Sequence, residues 1–548
     1  MRSDSTTQAA QPQGIDLREW SGSRLSLDYT FQYERLSRYY AGDPARSEAW
    51  RDAIHRAQAH PRQRARLVEI LEAQLAARGA PEQARAAAAK LADPRTVAIV
   101  TGQQAGLFGG PLYTLMKGLT AAKLAAEIEA QHGVPCVTVF WNHAEDHDWE
   151  EVASAYVLDA SMQPRRLTVA GAEGDEHRPV GTVRLTDDIT RVLAELEAQL
   201  PRTEFTDEVV EQLRRCYRPG VGMADAFGCL LDFLLGPLGV VVFDGSDPAA
   251  KPLAAPLFAR ELEHPGHTSH LAAAAGEALT ADGYHAQVVP QPDGTALFSM
   301  NGGRLPVRYR DSQFLIGDEA ADAAALRADG EAHPERFSPN VLLRAVVQDS
   351  LLPTIAYVAG PSELAYLGQL KDVYAFHATP MPLIVARATG TILDAASLRF
   401  LARTSLPLRS LRAQDESVLN QWLEAQLPPS IDKALQELEQ ALDDRMSALL
   451  AVVPAVDPTL EGSVTSSRGR IVHEVRSLHT KVIQAAKRRH DTLRRQFSHT
   501  QHLAFPAGTP QERIVCLAWF MNRFGPALVP RLSDTLPLDG GKHWLLQL

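Results

Sequence analysis

"VAIVTGQQAGLFGGPLYTLMKGL" (Val97–Leu119) runs from an apolar, β-branched segment through four glycines and a proline into a helical pattern. The apolar segment is short and lacks polar alternation, which predicts a strand buried on both faces. Gly102, Gly106, Gly109 and Gly110 free the backbone to turn tightly, and Pro111 suits the first position of the helix that follows. A strand that turns through glycines into a helix presents backbone N–H groups and a partial positive charge to an anion. The spacing matches neither familiar phosphate loop. No Gly-Lys-Ser/Thr occurs, Lys117 falls well inside the helix, and Gly102-x3-Gly106-x2-Gly109 does not fit G-x-G-x-x-G. The stretch predicts contact with a phosphate or nucleotide, with a plain tight turn as the alternative. Gln103 and Gln104 add amide donors and acceptors for a polar ligand.

Outward from this stretch, four more apolar runs resemble "TVAIV" (Thr96–Val100). They are "CVTVFW" (Cys136–Trp141), "GVVVFD" (Gly239–Asp244), "TIAYVAG" (Thr354–Gly360) and "PLIVAR" (Pro382–Arg387). Helical patterns after the first and fourth give βαβ units, so the fold expectation is α/β, a Rossmann-like parallel sheet. Two modules interrupt it, at about 160–222 and 270–335. In the second, "YHAQVV", "ALFSM" and "LPVRYR" with the turns "PDG" and "NGG" predict a small antiparallel sheet. Residues from about 25 to 92 read as helical. From Pro429, Ile431, Leu435, Leu438, Leu442, Met446, Leu449 and Val453 recur at alternating spacings of four and three. "PAVDP" breaks the pattern, and Leu460, Val464, Ile471, Val475, Leu478 and Val482 resume it. This predicts an antiparallel helical hairpin with a coiled-coil seam, a self-association element. The expected divisions are an N-terminal helical segment 1–92, a core 93–400, a helical region 401–500 and a C-terminal segment 501–548 packing on the core.

With 548 residues the chain is long enough for two to four domains, and its net charge of −11 argues against nucleic acid as a main partner. No apolar run approaches the ~20 residues of a membrane span, and "MRSDSTTQAAQPQG" has no signal-peptide core. Cys136, Cys216, Cys229 and Cys516 form no CxxC pair, and read as reduced thiols of a soluble cytoplasmic protein without a dedicated transition-metal site. The basic run Lys487–Arg495 reads as a solvated helix face.

Four further segments join the opening loop at the expected strand ends, where open α/β sheets place ligands. In "FWNHAEDHDWEE", His143, Glu145, Asp146, His147 and Asp148 crowd together. They suit Mg²⁺, an ammonium group or a histidine of raised pKa; the alternative is a helix start enriched in acids. "YVAGPSELAYLGQLK" offers Gly360, Ser362 as a helix cap and Glu363 in the first turn. Arg387 is placed to meet a phosphate or carboxylate, and Asp244 to bind a ribose or shape a turn.

"TGQQAGLFGGPLYTLMK", "VFWNHAEDHDWEE", "YVAGPSELAYLGQLK", "MPLIVARATGT" and "FPAGTPQER" occur in the order found in the bacillithiol biosynthesis cysteine-adding enzymes, the cysteine ligases, and the resemblance spans nearly the whole chain from "LSLDYTFQYERLSRYY" onward. It implies a core like that of the nucleotidyl-transferases, a coiled coil that dimerises, and joining of cysteine to the amine of glucosaminyl-malate, driven by ATP with Mg²⁺. Ala105 and Gly109 stand where the family usually has Pro and Thr, and Ala386 where it has Pro. The expectation is therefore a ligase with His143, Glu145, Asp146 and His147 as the catalytic cluster, one of them the general base. Gly102, Gln103, Gln104, Gly106, Gly109, Gly110 and Arg387 take phosphates, and Asp148, Asp244, Gly360, Ser362 and Glu363 take substrate. Activation through an adenylate or an acyl phosphate stays open. The alternatives are a nucleotidyl-transferase for another small acid and a non-catalytic coiled-coil scaffold.

Overall fold

The computed structural model describes residues 11–171, 178–301, 303–426, 429–489 and 491–548. The first ten residues of the polar leader, the Ile431 side chain of the expected seam, the Lys487–Arg489 side chains and His490 of the basic run, and one residue of the "NGG" turn lie outside what is described. The chain divides into two compact units, 1–392 with 510–548, and 393–509.

In the first unit the five apolar runs form one all-parallel sheet. Its strands are β1 (Val97–Gln103), β2 (Cys136–Asn142), β3 (Val241–Asp244), β4 (Thr354–Ala359) and β5 (Leu383–Ala386), in the spatial order β5-β4-β1-β2-β3. β1 lies against β2 from Val97↔Cys136 to Gln103↔Asn142, and against β4 through Tyr357↔Val100. β2 and β3 follow on one side of β1, while β4 and β5 lie on the other. The C-terminal ends of β1 and β4 therefore flank a topological switch point, the usual ligand crevice of an open α/β sheet. Five helices matter to that crevice: α1 (Tyr113–His132), α2 (Met223–Leu235), α3 (Lys251–Glu263), α4 (Val341–Leu351) and α5 (Pro361–Leu367).

The helical N-terminal segment belongs to this unit. Arg78 reaches from it to pair with Asp232 of α2 at 2.7 Å, and donates to the Val242 carbonyl at 2.6 Å. A strand at Gln13–Asp16 pairs antiparallel with Lys542–Leu546, which lies parallel to Thr389–Ile392. The inserted module is an antiparallel sheet of five strands: Gly294–Ser299, Leu305–Arg310, Gln313–Ile316, Glu319–Ala321 and Phe337–Pro339. "YHAQVV" is not among them. The Gln369 side-chain amide bonds both the N–H and the carbonyl of Val288, satisfying backbone groups that a neighbouring strand would otherwise pair.

Two expectations are corrected here. Cys216 and Cys229 are joined as a disulfide, because Thr206–Cys216 and α2 pack together and bring residues 13 apart in sequence to a Cα separation of 5.6 Å. Cys136 and Cys516 are free and buried, and burial pushes their thiols up to about 12 and about 11. The glycine loop, moreover, is a packed plug. Ala105, Leu107 and Phe108 are fully buried. The N–H of Gly106 donates to the Gln104 carbonyl, that of Gly109 to the Gly106 carbonyl and the Tyr217 hydroxyl, and that of Gly110 to the Leu107 carbonyl. The helix starts at Tyr113, and Pro111 instead pairs with Cys516 in an antiparallel bridge.

The second unit contains α6 (Pro429–Val452) and α7 (Leu460–Arg489), a hairpin cross-linked by Arg468–Asp443 and, at 3.8 Å, Arg476–Glu439. Val475 is buried in it, whereas Leu438, Leu449, Ile471 and Leu478 are exposed. Among the described residues no helix is long and apolar enough to cross a membrane.

Gly109 adopts φ +85, and a Cβ there would lie 2.9 Å from Leu517 Cδ1 and 3.0 Å from Leu230 Cδ2. Gly109→Ala is expected to lower the unfolding free energy by about 1–3 kcal/mol in denaturant titrations; unchanged stability would mean that the plug is not tightly packed.

Candidate active site

A cavity of about 570 Å³ opens over the C-terminal ends of β1, β2, β4 and β5, a size suited to a small polar ligand. Its floor is organised by a lysine. Lys117 lies in the early turns of α1, and helix side chains lean toward the N-terminus, so its Nζ returns to the end of β1. There it donates to the Gly102 carbonyl at 2.8 Å and to Gln103 Oε1 at 3.2 Å, and pairs with Glu363 at 2.5 Å. Burial pulls the Lys117 pKa down, and the Glu363 charge opposes that pull. Glu363 in turn accepts from the Gly360 N–H and the Tyr357 hydroxyl, both at 2.7 Å. Gly360, not Ser362, is the cap residue of α5, and the Glu363 carboxylate supplies the capping hydrogen bond. Ser362 lines the cavity instead.

The acid and histidine segment after β2 divides. His143, Glu145 and Asp146 line the cavity; His147 is exposed beyond it and Asp148 caps the short helix Trp149–Val152. The His143 ring lies against Gly102, where a Cβ would come within 2.4 Å of Nε2, so only glycine fits. Burial, then the nearby Arg344 and Lys117 charges, hold the His143 pKa well below 6.5. Its ring is therefore neutral near neutral pH, and Nε2 has no hydrogen-bond partner among the described residues. Glu145 forms a buried ion pair with Lys251 of α3. Asp146 accepts from Gln104 at 3.1 Å. Glu151 also lines the cavity; burial raises its pKa, the Gln104 hydrogen bond lowers it, and Asp148 and Asp146 raise it further.

The opposite wall comes from the inserted sheet and α4. Arg304 stacks on Phe298, 3.8 Å from the ring centre, and its guanidinium bonds His147 Nδ1 at 3.0 Å and the Pro339 carbonyl at 3.2 Å. Arg344, on α4 behind the Asn340 cap, bonds the Tyr366 hydroxyl at 3.3 Å. A smaller cleft of about 290 Å³ adjoins the cavity, sharing Gln103, Gln104, Tyr113, Glu151 and Arg513, and adding Gly106, Gly110 and Arg166.

Against this geometry the comparisons with known proteins are specific. The bacillithiol biosynthesis BshC N-terminal Rossmann-like domain matches residues 11–388, and the BshC C-terminal coiled-coil domain matches residues 390–548. The chain belongs to the BshC family. A "Putative cysteine ligase BshC" of Salinibacter ruber is 36% identical over 523 residues, 95% of each chain. Proteins of the same name from Chlorobaculum tepidum and Symbiobacterium thermophilum are 32% identical over 86% of each chain, and 33% identical over 94% of this chain and 95% of the relative.

For this BshC-family chain, the structure gathers Gln103, Gln104, His143, Glu145, Asp146, Gly360, Ser362, Glu363 and Arg387 into one cavity, with Gly106 and Gly110 in the adjoining cleft. Gly109 faces apolar side chains, so a hydroxyl there would have no route to a ligand. Asp244 lies elsewhere, accepting from Ser246 at a turn, and burial pushes its carboxyl up to about 6. Arg387 is already engaged: it forms a buried bidentate pair with Glu512 at 2.7 and 3.0 Å. The sequence reading missed Lys117, Arg304, Arg344 and Arg513. Lys117 was legible from helix geometry, and Arg513 sits in the "FPAGTPQER" motif; nothing local to Arg304 or Arg344 marks them.

Glu512 also accepts from Thr389 and the Gly390 N–H. Burial alone would raise its pKa, but Arg387, His543 and the Gly390 N–H together outweigh burial and hold the carboxyl at about 2, below its ordinary 4.5. A lowered pKa stabilises the fold above the unfolded value, and that contribution is lost as pH falls through the folded one. Glu512→Gln is expected to lower the unfolding free energy by about 3 kcal/mol at neutral pH. In urea titrations the difference from wild type should narrow between pH 4.5 and about 2; a difference independent of pH would refute the assignment.

Proposed function

We propose that this chain is a cytoplasmic ligase that joins the carboxyl of cysteine to the amine of glucosaminyl-malate, the last step of bacillithiol synthesis, with ATP as the driving nucleotide. Membership of the BshC family and relatives named cysteine ligases support the reaction class. The observation that carries the mechanism is the neutral imidazole of His143 in the cavity wall. An amine attacking an activated carboxyl must be neutral and sheds a proton as the amide forms, so it needs a nearby acceptor. His143 supplies one, whereas the His147 ring is occupied by Arg304 at the exposed rim.

Because the N–H groups of Gly106, Gly109 and Gly110 are consumed within the plug, phosphate contact falls to Gln103 and Gln104 and to Arg513 between the two clefts. Asp146 and Glu151 suit Mg²⁺, which takes only one or two protein carboxylates besides phosphate oxygens and water. The raised pKa of Glu151 beside its acidic neighbours supports this fit, since a cation there would relieve the repulsion. The exposed Leu438, Leu449, Ile471 and Leu478 on the α6–α7 hairpin support a homodimer; light scattering should give the mass of two chains, and a monomer would refute it.

The test is an assay of the full chain with ATP, Mg²⁺, cysteine and glucosaminyl-malate, read by mass spectrometry and nucleotide analysis. Bacillithiol with AMP indicates an adenylate, and with ADP an acyl phosphate. His143→Gln is expected to lower kcat by roughly 10²–10⁴-fold, while His147→Ala retains most activity. A fully active His143→Gln removes the base, no product from folded wild type removes the ligase reading, and pyrophosphate release with a different acid replaces it with nucleotidyl transfer.

A further inference from the structure

Most cations that line or back the main cavity already have an anionic partner. Lys117 pairs with Glu363, Lys251 with Glu145 and Arg387 with Glu512, while Arg304 lies 3.8 Å from Asp146 with its face on Phe298. Arg344 differs. Its guanidinium lines the cavity, its hydrogen bond is to a neutral hydroxyl at 3.3 Å, and among the described residues no carboxylate lies within ion-pair distance. A planar fork of five donors left largely unspent in a concave wall is suited to a carboxylate from outside the chain.

We propose that Arg344 is the anchor for a carboxylate of the malyl group of the acceptor, so that α4, which follows the inserted sheet, determines acceptor specificity. This rests on the ligase reading above. Arg344 and His143 both line this cavity, and the Arg344 charge acts on the His143 ring. In a glucosaminyl-malate the amine sits on the sugar carbon next to the one bearing the malyl group, which puts amine and carboxylates within one compact reach. An acceptor held through a malyl carboxylate at Arg344 would therefore offer its amine to the His143 ring.

Two other anions suit the position less well. The carboxylate of cysteine must use its own lone pairs to attack phosphorus, and charge-assisted donors would quench that nucleophile. The malyl carboxylates do not react and can be held throughout. A triphosphate calls for several free cations, and the pairings above leave few.

The test is calorimetric titration of the full chain with L-malate, cysteine and ATP separately, in wild type, Arg344→Gln and Arg344→Lys, with folding followed by circular dichroism. Acceptor kinetics of the three proteins accompany it. Malate affinity is expected to fall about 10- to 100-fold in Arg344→Gln and less in Arg344→Lys, with cysteine and ATP binding unchanged and the loss appearing in KM for the acceptor. No malate binding by wild type, equal binding by the folded variants, or a loss confined to ATP or cysteine would each overturn it. If Arg344→Gln fails to fold, the Arg344→Lys comparison decides. Malate binding that depends on Arg344 in a protein that makes no bacillithiol would leave this subsite standing and remove the ligase reading instead.

Discussion

A lysine ammonium buried between two diverging strands has to be neutralised where it stands, because leaving a charge unpaired in a low-dielectric interior costs several kcal/mol. Lys117 and Glu363 answer that constraint together. Lys117 belongs to the helix after β1, and Glu363 to the helix after β4. Their contact joins the two βα units across the switch point, while the remaining bonds of each fix its own strand end: Lys117 to the Gly102 carbonyl, Glu363 to the Gly360 N–H. The crevice that an open sheet leaves at this point is thus held at a set width by the pair that lines it. A second buried pair, Arg387–Glu512, ties the end of β5 to the C-terminal segment.

Around this frame the cavity walls come from different sources. The sheet supplies amides, acids and one neutral imidazole through the loops after β1 and β2. The inserted sheet supplies Arg304 beside a strand, and α4, the helix after it, supplies Arg344. Ion pairs remove most of these charges from circulation, so the groups left to act are few: the His143 ring, Arg344 and Arg513. The loop glycines contribute shape rather than donors, since the N–H groups of Gly106, Gly109 and Gly110 close the loop on itself.

The five core strands were legible because a parallel sheet buried on both faces demands unbroken apolar runs, which no polar alternation obscures. The helical hairpin was legible from its four-and-three spacing. Of the site, the segments were legible and the roles were not. Histidines four apart look equivalent in sequence, yet the chain leaves β2 so that His143 packs on Gly102 while His147 points to the rim. Ser362 resembles a cap, but Glu363 reaches the orphan N–H first. The cysteines show no pairing motif, and Cys216 meets Cys229 only because two consecutive helices pack side by side.

Local chemistry in the sequence therefore determined where strands, glycine turns and the coiled-coil hairpin fall, and which strand ends carry polar groups, because these depend on periodicity and backbone freedom within a few residues. Only the tertiary structure decided which charges are spent and which remain free. Arg387 looked like the available cation and is neutralised by a carboxylate 125 residues away. Arg344 carried no signal and is left facing the cavity. Whether a charge is free depends on what the fold brings within ion-pair distance, and that distance is set by long-range packing that no local pattern encodes.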